Sequence, residues 1–180
     1  YHPEILVFMQ QSMGLKESHN IVDIGSGTGR FSKLLLQNGH RVTGVEPNDN
    51  MRQTAEKELS CFQNFTSIAG SGEDTGLQSG SADLIVVAHA FHWMDTDAVR
   101  EEFQRILKPG GKTMLAWTIR QTNTDFLLRY DQLKKHFRTN QAPPLIDDDS
   151  ISAFYGPGIV QKMSFLHTNW ICFDGLKGLL

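Results

Sequence analysis

Short runs of apolar, often β-branched residues alternate along this chain with segments whose apolar positions recur every three or four residues. That pattern predicts strands alternating with helices, and hence an α/β fold with a mostly parallel sheet. Pro3 suits a first helical turn, and Ile5, Met9 and Met13 recur behind it at helical spacing. Ile21-Val22-Asp23-Ile24 predicts a buried strand. Phe31, Leu34 and Leu35 give the apolar face of the next helix, which Asn38-Gly39 ends. Val42 to Val45 predicts a second strand. A helix carrying Met51, Ala55 and Leu59 follows, capped by Asn48 or Asp49. Phe65 to Ala69 reads as a third strand. Leu84 to Ala88 is the continuous apolar run expected of a strand buried on both faces. Val99, Phe103, Ile106 and Leu107 mark a helix that stops at Lys108-Pro109-Gly110-Gly111, and Thr113 to Trp117 reads as a fifth strand.

The last third is less regular. Phe126, Tyr130, Leu133 and Phe137 predict one amphipathic helix. Residues Gln141 to Ser150, with Pro143-Pro144 and Asp147-Asp148-Asp149, read as a loop. Ile159 to Phe165 reads as a sixth strand, and a helix is expected to begin at Asp174-Gly175-Leu176. There is no internal repeat and no sign of a second domain, so residues 1–180 are expected to form one.

Composition narrows the classes. A chain of 180 residues, 39% hydrophobic, is long enough to bury one sizeable core. Its net charge of −3 gives no electrostatic reason to expect nucleic acid as a partner. The cationic cluster Lys134-Lys135-His136-Arg138 reads as a helix C-terminus instead. Cys61 and Cys172 show neither metal spacing nor disulfide density, which favours a reducing, cytoplasmic setting. No apolar run reaches the roughly 18–20 residues of a membrane helix, and no signal peptide is visible. A monomer or weak homodimer, without membrane or nucleic-acid partners, is the expectation.

The candidate chemistry lies in the loop Asp23-Ile24-Gly25-Ser26-Gly27-Thr28-Gly29, between a predicted strand and a predicted helix. Glycines there allow a tight turn and close approach of backbone to a ligand, and amides at the helix start are expected to face that ligand as donors. Glu46 ends the next strand, where a carboxylate can accept from both hydroxyls of a ribose. Together these features suggest a ligand containing adenosine. A dinucleotide loop wants a small residue where this chain has Arg30, which argues against that class.

Several motifs, in order, resemble those of class I S-adenosylmethionine-dependent methyltransferases. Val22 to Gly29 looks like their first motif, and Val45-Glu46-Pro47-Asn48 with Met51 resembles the second. Ser71-Gly72-Glu73-Asp74 is similar to the segment that meets the adenine. Ala82-Asp83-Leu84-Ile85 and Ala88-His89-Ala90-Phe91-His92-Trp93 resemble the fourth strand and its exit, and Arg105 to Gly111 the turn before the fifth. The Phe-His-Trp element points to the type 11 group of small-molecule enzymes, including trans-aconitate methyltransferase-like proteins. The resemblance covers roughly residues 20–118, the cofactor core, and leaves 119–180 as the substrate-side part.

It implies a Rossmann-like three-layer sandwich, with an antiparallel final element. The N-terminal lid and last strand of that fold are expected to be missing here. It also implies roles. Gly25, Ser26 and Gly27, with Gly29 beside them, should border the methionine part of S-adenosylmethionine, and Asp23 should orient that loop or reach the cofactor amino group, directly or through water. Glu46, with Pro47 beside it, should hold the ribose. Met51, Ser71, Gly72 and Glu73 should lie against the adenine. Ser71 stands where many relatives carry Asp, so backbone contacts from Gly72 and Glu73 are expected to matter more. His89, Ala90 and Phe91 should complete the floor beneath the sulfonium. His92 and His89 are the candidate proton acceptors, with Trp93 as a wall, and Tyr1, Trp93, Trp117 and Arg120 face the acceptor. His89, His92 and Asp95 lack the further spacing a metal needs, so no metal is expected. The implied reaction is in-line methyl transfer to a small molecule, leaving S-adenosylhomocysteine. The rival readings are an NAD-dependent oxidoreductase and a non-catalytic cofactor-binding protein of this fold.

Overall fold

Val, Ile and Leu dominate β1 (Asn20–Ile24) and β4 (Ala82–Ala88), and both strands are buried almost end to end because they occupy the middle of the sheet. The computed structural model describes residues 1–119, 121–137, 147–156, 160–166 and 168. Within them β2 (Arg41–Val45), β3 (Phe65–Ile68) and β5 (Leu107–Ala116) complete a five-stranded sheet of order β3-β2-β1-β4-β5. Every neighbouring pair is parallel. The strand order reverses between β1 and β4, so the crevice for a ligand opens at their carboxyl ends.

Alternation along the strands sends Ile21, Leu84 and Val86 to one face and Val22, Ile24, Ile85 and Val87 to the other. The helices α1 (Glu4–Gln11) and α2 (Arg30–Gln37) cover the first face through Met9, Phe31 and Leu35, joined by Leu59 at the end of α3 (Asp49–Glu58). The second face is covered by α4 (Thr96–Ile106) and α6 (Asp148–Tyr155), through Val99, Phe103, Ile106 and Phe154. The result is the expected three-layer α/β architecture. Asp83 fixes one end of it, accepting from the Asn20 amide at 2.8 Å and from Lys108 Nζ at 2.7 Å. Helix α5 (Asp125–Phe137) carries Lys134, Lys135 and His136 in its last turn, as expected; Arg138 lies outside the described residues.

Local signals were resolved or corrected by packing. Asn48 is the cap of α3, its Oδ1 accepting from the Met51 amide at 3.1 Å. Lys108 to Gly111 does not simply end α4. The β4–β5 register jumps from Ala82↔Leu107 to Leu84↔Lys112, so the Pro-Gly-Gly segment bulges within β5, with Gly110 at φ +79°. Of the loop expected over 141–150, residues 141–146 lie outside the described residues, and the remainder is the start of α6. Asp147 caps that helix by accepting from the Ser150 amide at 2.7 Å, so the aspartate run is a helix start. The strand expected over 159–165 does not form over residues 160–165. Val160 and Met163 are exposed there, and no described neighbour pairs with the segment. An antiparallel final element is therefore not seen among the described residues. The helix expected from Asp174 lies outside them. In α5 the intended stripe is only partly buried: Tyr130 is covered, while Phe126 and Leu133 are exposed.

Candidate functional site

The end of β1 turns into α2 through three glycines with left-handed backbone, Gly25 (φ +67°), Gly27 (φ +57°) and Gly29 (φ +78°). Two of them are needed for space as well. A Cβ on Gly25 would lie 2.3 Å from the Cβ of Ala90, at the exit of β4, and one on Gly29 would lie 2.6 Å from Leu59 Cδ1. Gly29 thus seats α2 on α3, whereas Gly25 brings the loop down onto the β4 exit. Gly27 is roomier: the nearest atom to such a Cβ is the sulfur of Met51, 4.0 Å away.

Four amides of the glycine loop are spent on closing the turn, which leaves the donors expected at the helix start to the residues from Arg30 onward. Gly25 and Ser26 donate to the Val45 carbonyl at 2.8 and 3.2 Å, Gly29 donates to Ser26 at 2.9 Å, and Gly27 donates to Glu46 Oε2 at 2.8 Å. Turn closure takes these donors because the loop is tied to the end of β2. Glu46 is buried, and its other oxygen accepts from the Asn48 amide at 2.9 Å. A carboxylate has about four acceptor positions, so each oxygen retains one for a ligand hydroxyl. Arg52 braces the backbone here by donating to the Glu46 carbonyl at 3.1 Å. Pro47 is exposed beside it.

Beneath the loop, Asp23 is fully buried. Ser32 Oγ donates to its Oδ2 at 2.6 Å, while Oδ1 is buried with no hydrogen-bond partner. Burial pushes the Asp23 carboxyl up to about 7, against the Ser32 bonds, with Glu46 adding repulsion. Tyr1 covers this corner, its ring edge-on to Phe31 at 4.8 Å and 6.2 Å from the ring of His89. Its phenol is pushed up to about 12 by burial and then by Asp23, with Arg30 pulling the other way.

On the far side of the loop Met51 is exposed over Gly27. Ser71 Oγ accepts from the Glu73 and Asp74 amides, both at 3.2 Å, so its lone pairs and the Glu73 N–H are taken up by a local turn. The Glu73 side chain is also committed, accepting from the Asp95 amide at 2.9 Å. Of the backbone contacts expected from Gly72 and Glu73, the Glu73 donor is therefore not available. Gly72 is buried against Met94, whose sulfur would lie 2.6 Å from an added Cβ.

At the β4 exit His89 is itself left-handed (φ +60°), and its Nε2 accepts from the Thr118 amide at 2.9 Å. That lone pair is not free for a substrate proton. Phe91 is fully buried at the start of a one-turn 3₁₀ helix, Phe91–Trp93. His92 follows with its Nδ1 buried and without a hydrogen-bond partner, and burial holds its pKa below the usual histidine range. The indole nitrogen of Trp117 is likewise buried and unpaired. Trp93, expected as a wall, is 68% exposed, because the 3₁₀ turn buries Phe91 and rotates Trp93 outward. Arg120 lies outside the described residues. No group of three or more His, Cys, Asp or Glu among the described residues is arranged to hold a metal.

Thus Asp23, Gly25, Ser26, Gly27, Glu46, Met51 and Ala90 converge at the β1–β4 crevice, with Tyr1 and His89 at its rim. Four contributors escaped the sequence reading: Ser32, Arg52, Met94 and Thr118. Ser32 faces inward on α2 one residue after Phe31, and its hydroxyl opposite a buried acid was the one signal available. Arg52 acts locally, six residues from the Glu46 carbonyl it braces, whereas Met94 and Thr118 act through contacts between distant segments.

Known proteins share the sequence family and the fold. A family described as a methyltransferase domain matches residues 22–115. An uncharacterised methyltransferase of Schizosaccharomyces pombe is 25% identical over 170 residues, covering 94% of this chain and 66% of that protein. An uncharacterised methyltransferase of Mycobacterium tuberculosis is 31% identical over 103 residues, covering 57% of this chain and 41% of that protein. The chain therefore spans about two-thirds or less of the length of these relatives. The crystal structure of a SAM-dependent methyltransferase from Aquifex aeolicus shares the fold, with a TM-score of 0.63, 18% identity and coverage of 86% of this chain and 77% of that one. With more than half of its residues inside the matched span, the chain belongs to the methyltransferase-domain family.

Proposed function

We propose that this protein binds S-adenosylmethionine in the β1–β4 crevice and passes its methyl group to a small molecule in the cytoplasm. The observation that carries the reading is the polarity of the cradle. Four loop amides are committed internally, and two buried acids, Asp23 and Glu46, lie beneath and beside the loop. An amide nest that welcomes a pyrophosphate is the opposite arrangement. A cradle of acceptors suits a ligand with a ribose diol at one end and positive charge at the other.

In that reading Glu46 holds the ribose through the acceptor position left on each oxygen, already oriented by Gly27 and Asn48. The unpaired Oδ1 of Asp23 faces the cationic amino-acid end. Met51 and the buried Gly72–Met94 contact bracket the base. When bound, S-adenosylmethionine supplies a methyl group made electrophilic by positive sulfur, so the protein's task is to align an acceptor and exclude water. The buried Nδ1 of His92, neutral at pH 7, accepts a hydrogen bond or a proton from a hydroxyl or amine acceptor; a carboxylate acceptor needs neither. The Trp117 indole N–H supplies a donor on the acceptor side. A net charge of −3 supports a small acceptor over a nucleic acid. Calorimetric titration of the chain with S-adenosylhomocysteine and, separately, with NAD tests the reading. Binding of the former alone supports it; binding of NAD alone, or of neither, refutes it.

A further inference from the structure

Among the described residues, His89 is the one residue other than glycine with a left-handed backbone. Such a conformation carries a steric cost and persists where the surroundings hold it. Two bonds to the β5 side hold it here. The His89 amide donates to the Ala116 carbonyl at 2.9 Å, one step beyond the last ladder pair, Ala88↔Ala116. Its ring reaches around the strand end, where Nε2 accepts from the Thr118 amide at 2.9 Å. A ring nitrogen that accepts carries no proton, so the ring is neutral with its proton on Nδ1. The left-handed turn also aims the next residue, Ala90, at Gly25. One residue therefore joins the β4 exit that seats the glycine loop to the β5 exit that carries Trp117.

We propose that His89 is a positioning residue: its neutral ring clips the Trp117-Thr118 segment to the β4 exit, and protonation of the ring opens the clip. The acceptor-side role rests on the reading given above; the clip itself does not. Protonation places an N–H on Nε2, opposite the Thr118 N–H, and two donors cannot bond. The titratable groups facing the ring are His92, on the 3₁₀ turn, and Tyr1, whose ring lies 6.2 Å away. In the segment that leaves β5, the residue that contacts the ring, Thr118, carries no charge. Partial burial and then His92 hold the His89 ring below the usual histidine range, which keeps the clip closed at neutral pH.

Amide exchange and ring nitrogen spectra of the whole ligand-free chain test this by NMR. Thr118 protection, corrected for intrinsic exchange, should fall roughly tenfold or more from about pH 7.5 to about pH 5, with Val86 in β4 unaffected. The Trp117 indole resonance should shift with the same midpoint as the His89 ring. His89→Asn tolerates a left-handed backbone and does not titrate, so it should abolish the pH dependence. If that variant does not fold, the wild-type profile and the ring tautomer still decide. A proton on Nε2 at neutral pH, or Thr118 protection indifferent to pH, overturns the clip. A Trp117 resonance blind to the His89 titration overturns its positioning role. Because no ligand is present, a failure of S-adenosylhomocysteine binding would count against the cofactor reading and leave this result standing.

Discussion

The most informative single substitution is Asp23→Asn, because Asp23 is a fully buried acid with one oxygen unpaired. Its carboxyl titrates near 7 in the native state against an ordinary 3.8. The native protein thus keeps a proton that the unfolded chain releases once pH passes 3.8. Unfolding releases that proton, so this group's contribution to stability falls as pH rises from about 4 to about 7 and is flat above. At about 1.4 kcal/mol per tenfold change in proton affinity, the gap corresponds to about 4 kcal/mol. Asparagine cannot ionise, so the variant lacks this pH term. It adds a buried amide N–H that costs about 1–3 kcal/mol if unpaired, but that cost is the same at every pH. The measurement is therefore a difference: denaturant unfolding of both proteins at about pH 4 and about pH 8, without ligand. Asp23→Asn should gain about 4 kcal/mol on the wild type between the two conditions. A stability difference that does not change with pH would refute the buried, unpaired carboxylate.

Further perturbations probe the rest of the framework. Gly25→Ala forces a side chain into left-handed backbone and against Ala90, and should destabilise the protein by about 3 kcal/mol in denaturant unfolding while weakening S-adenosylhomocysteine binding. Glu102 is buried, receives Arg105 through two nitrogens at 2.6 and 2.7 Å and is bonded by Thr75; the Arg105 bonds lead in pulling its carboxyl down to about 2. Its stabilisation is complete above the ordinary 4.5 and is lost as pH falls through about 2, so Glu102→Gln should cost about 2 kcal/mol at neutral pH and progressively less in acid. Equal destabilisation at about pH 7 and about pH 2.5 would contradict that assignment.

Much of the fold was legible because local and tertiary signals coincide over residues 20–118. The apolar run at Leu84–Val87 is a strand because it is buried on both faces, and Asn38-Gly39 ends α2 because a left-handed glycine is needed there. Legibility failed where partners decide. Val160 and Met163 read as strand residues, but no described strand pairs with them. The Asp147-Asp148-Asp149 run read as a loop until Phe154 packed on Phe91 and Phe103, 4.8 and 6.0 Å between ring centres, and gave α6 a face to bury. Glycines, Glu46 and Asp23 announced the site, but not its polarity. Val45 and Glu46 take the amides of Gly25, Ser26 and Gly27, a fact of tertiary register that no spacing records. The same holds for His89, whose ring faces Thr118 across two strand ends.

In the proposed function Glu46, oriented by Gly27 and Asn48, holds the ribose of S-adenosylmethionine. Calorimetric titration of wild type and Glu46→Ala with S-adenosylhomocysteine tests it most directly, with Glu46→Gln as the variant that retains one side-chain acceptor. Two hydrogen bonds to a buried carboxylate predict that Glu46→Ala binds about 100-fold more weakly and Glu46→Gln about tenfold, each at unchanged secondary structure. Wild-type affinity in a folded Glu46→Ala protein would contradict the account.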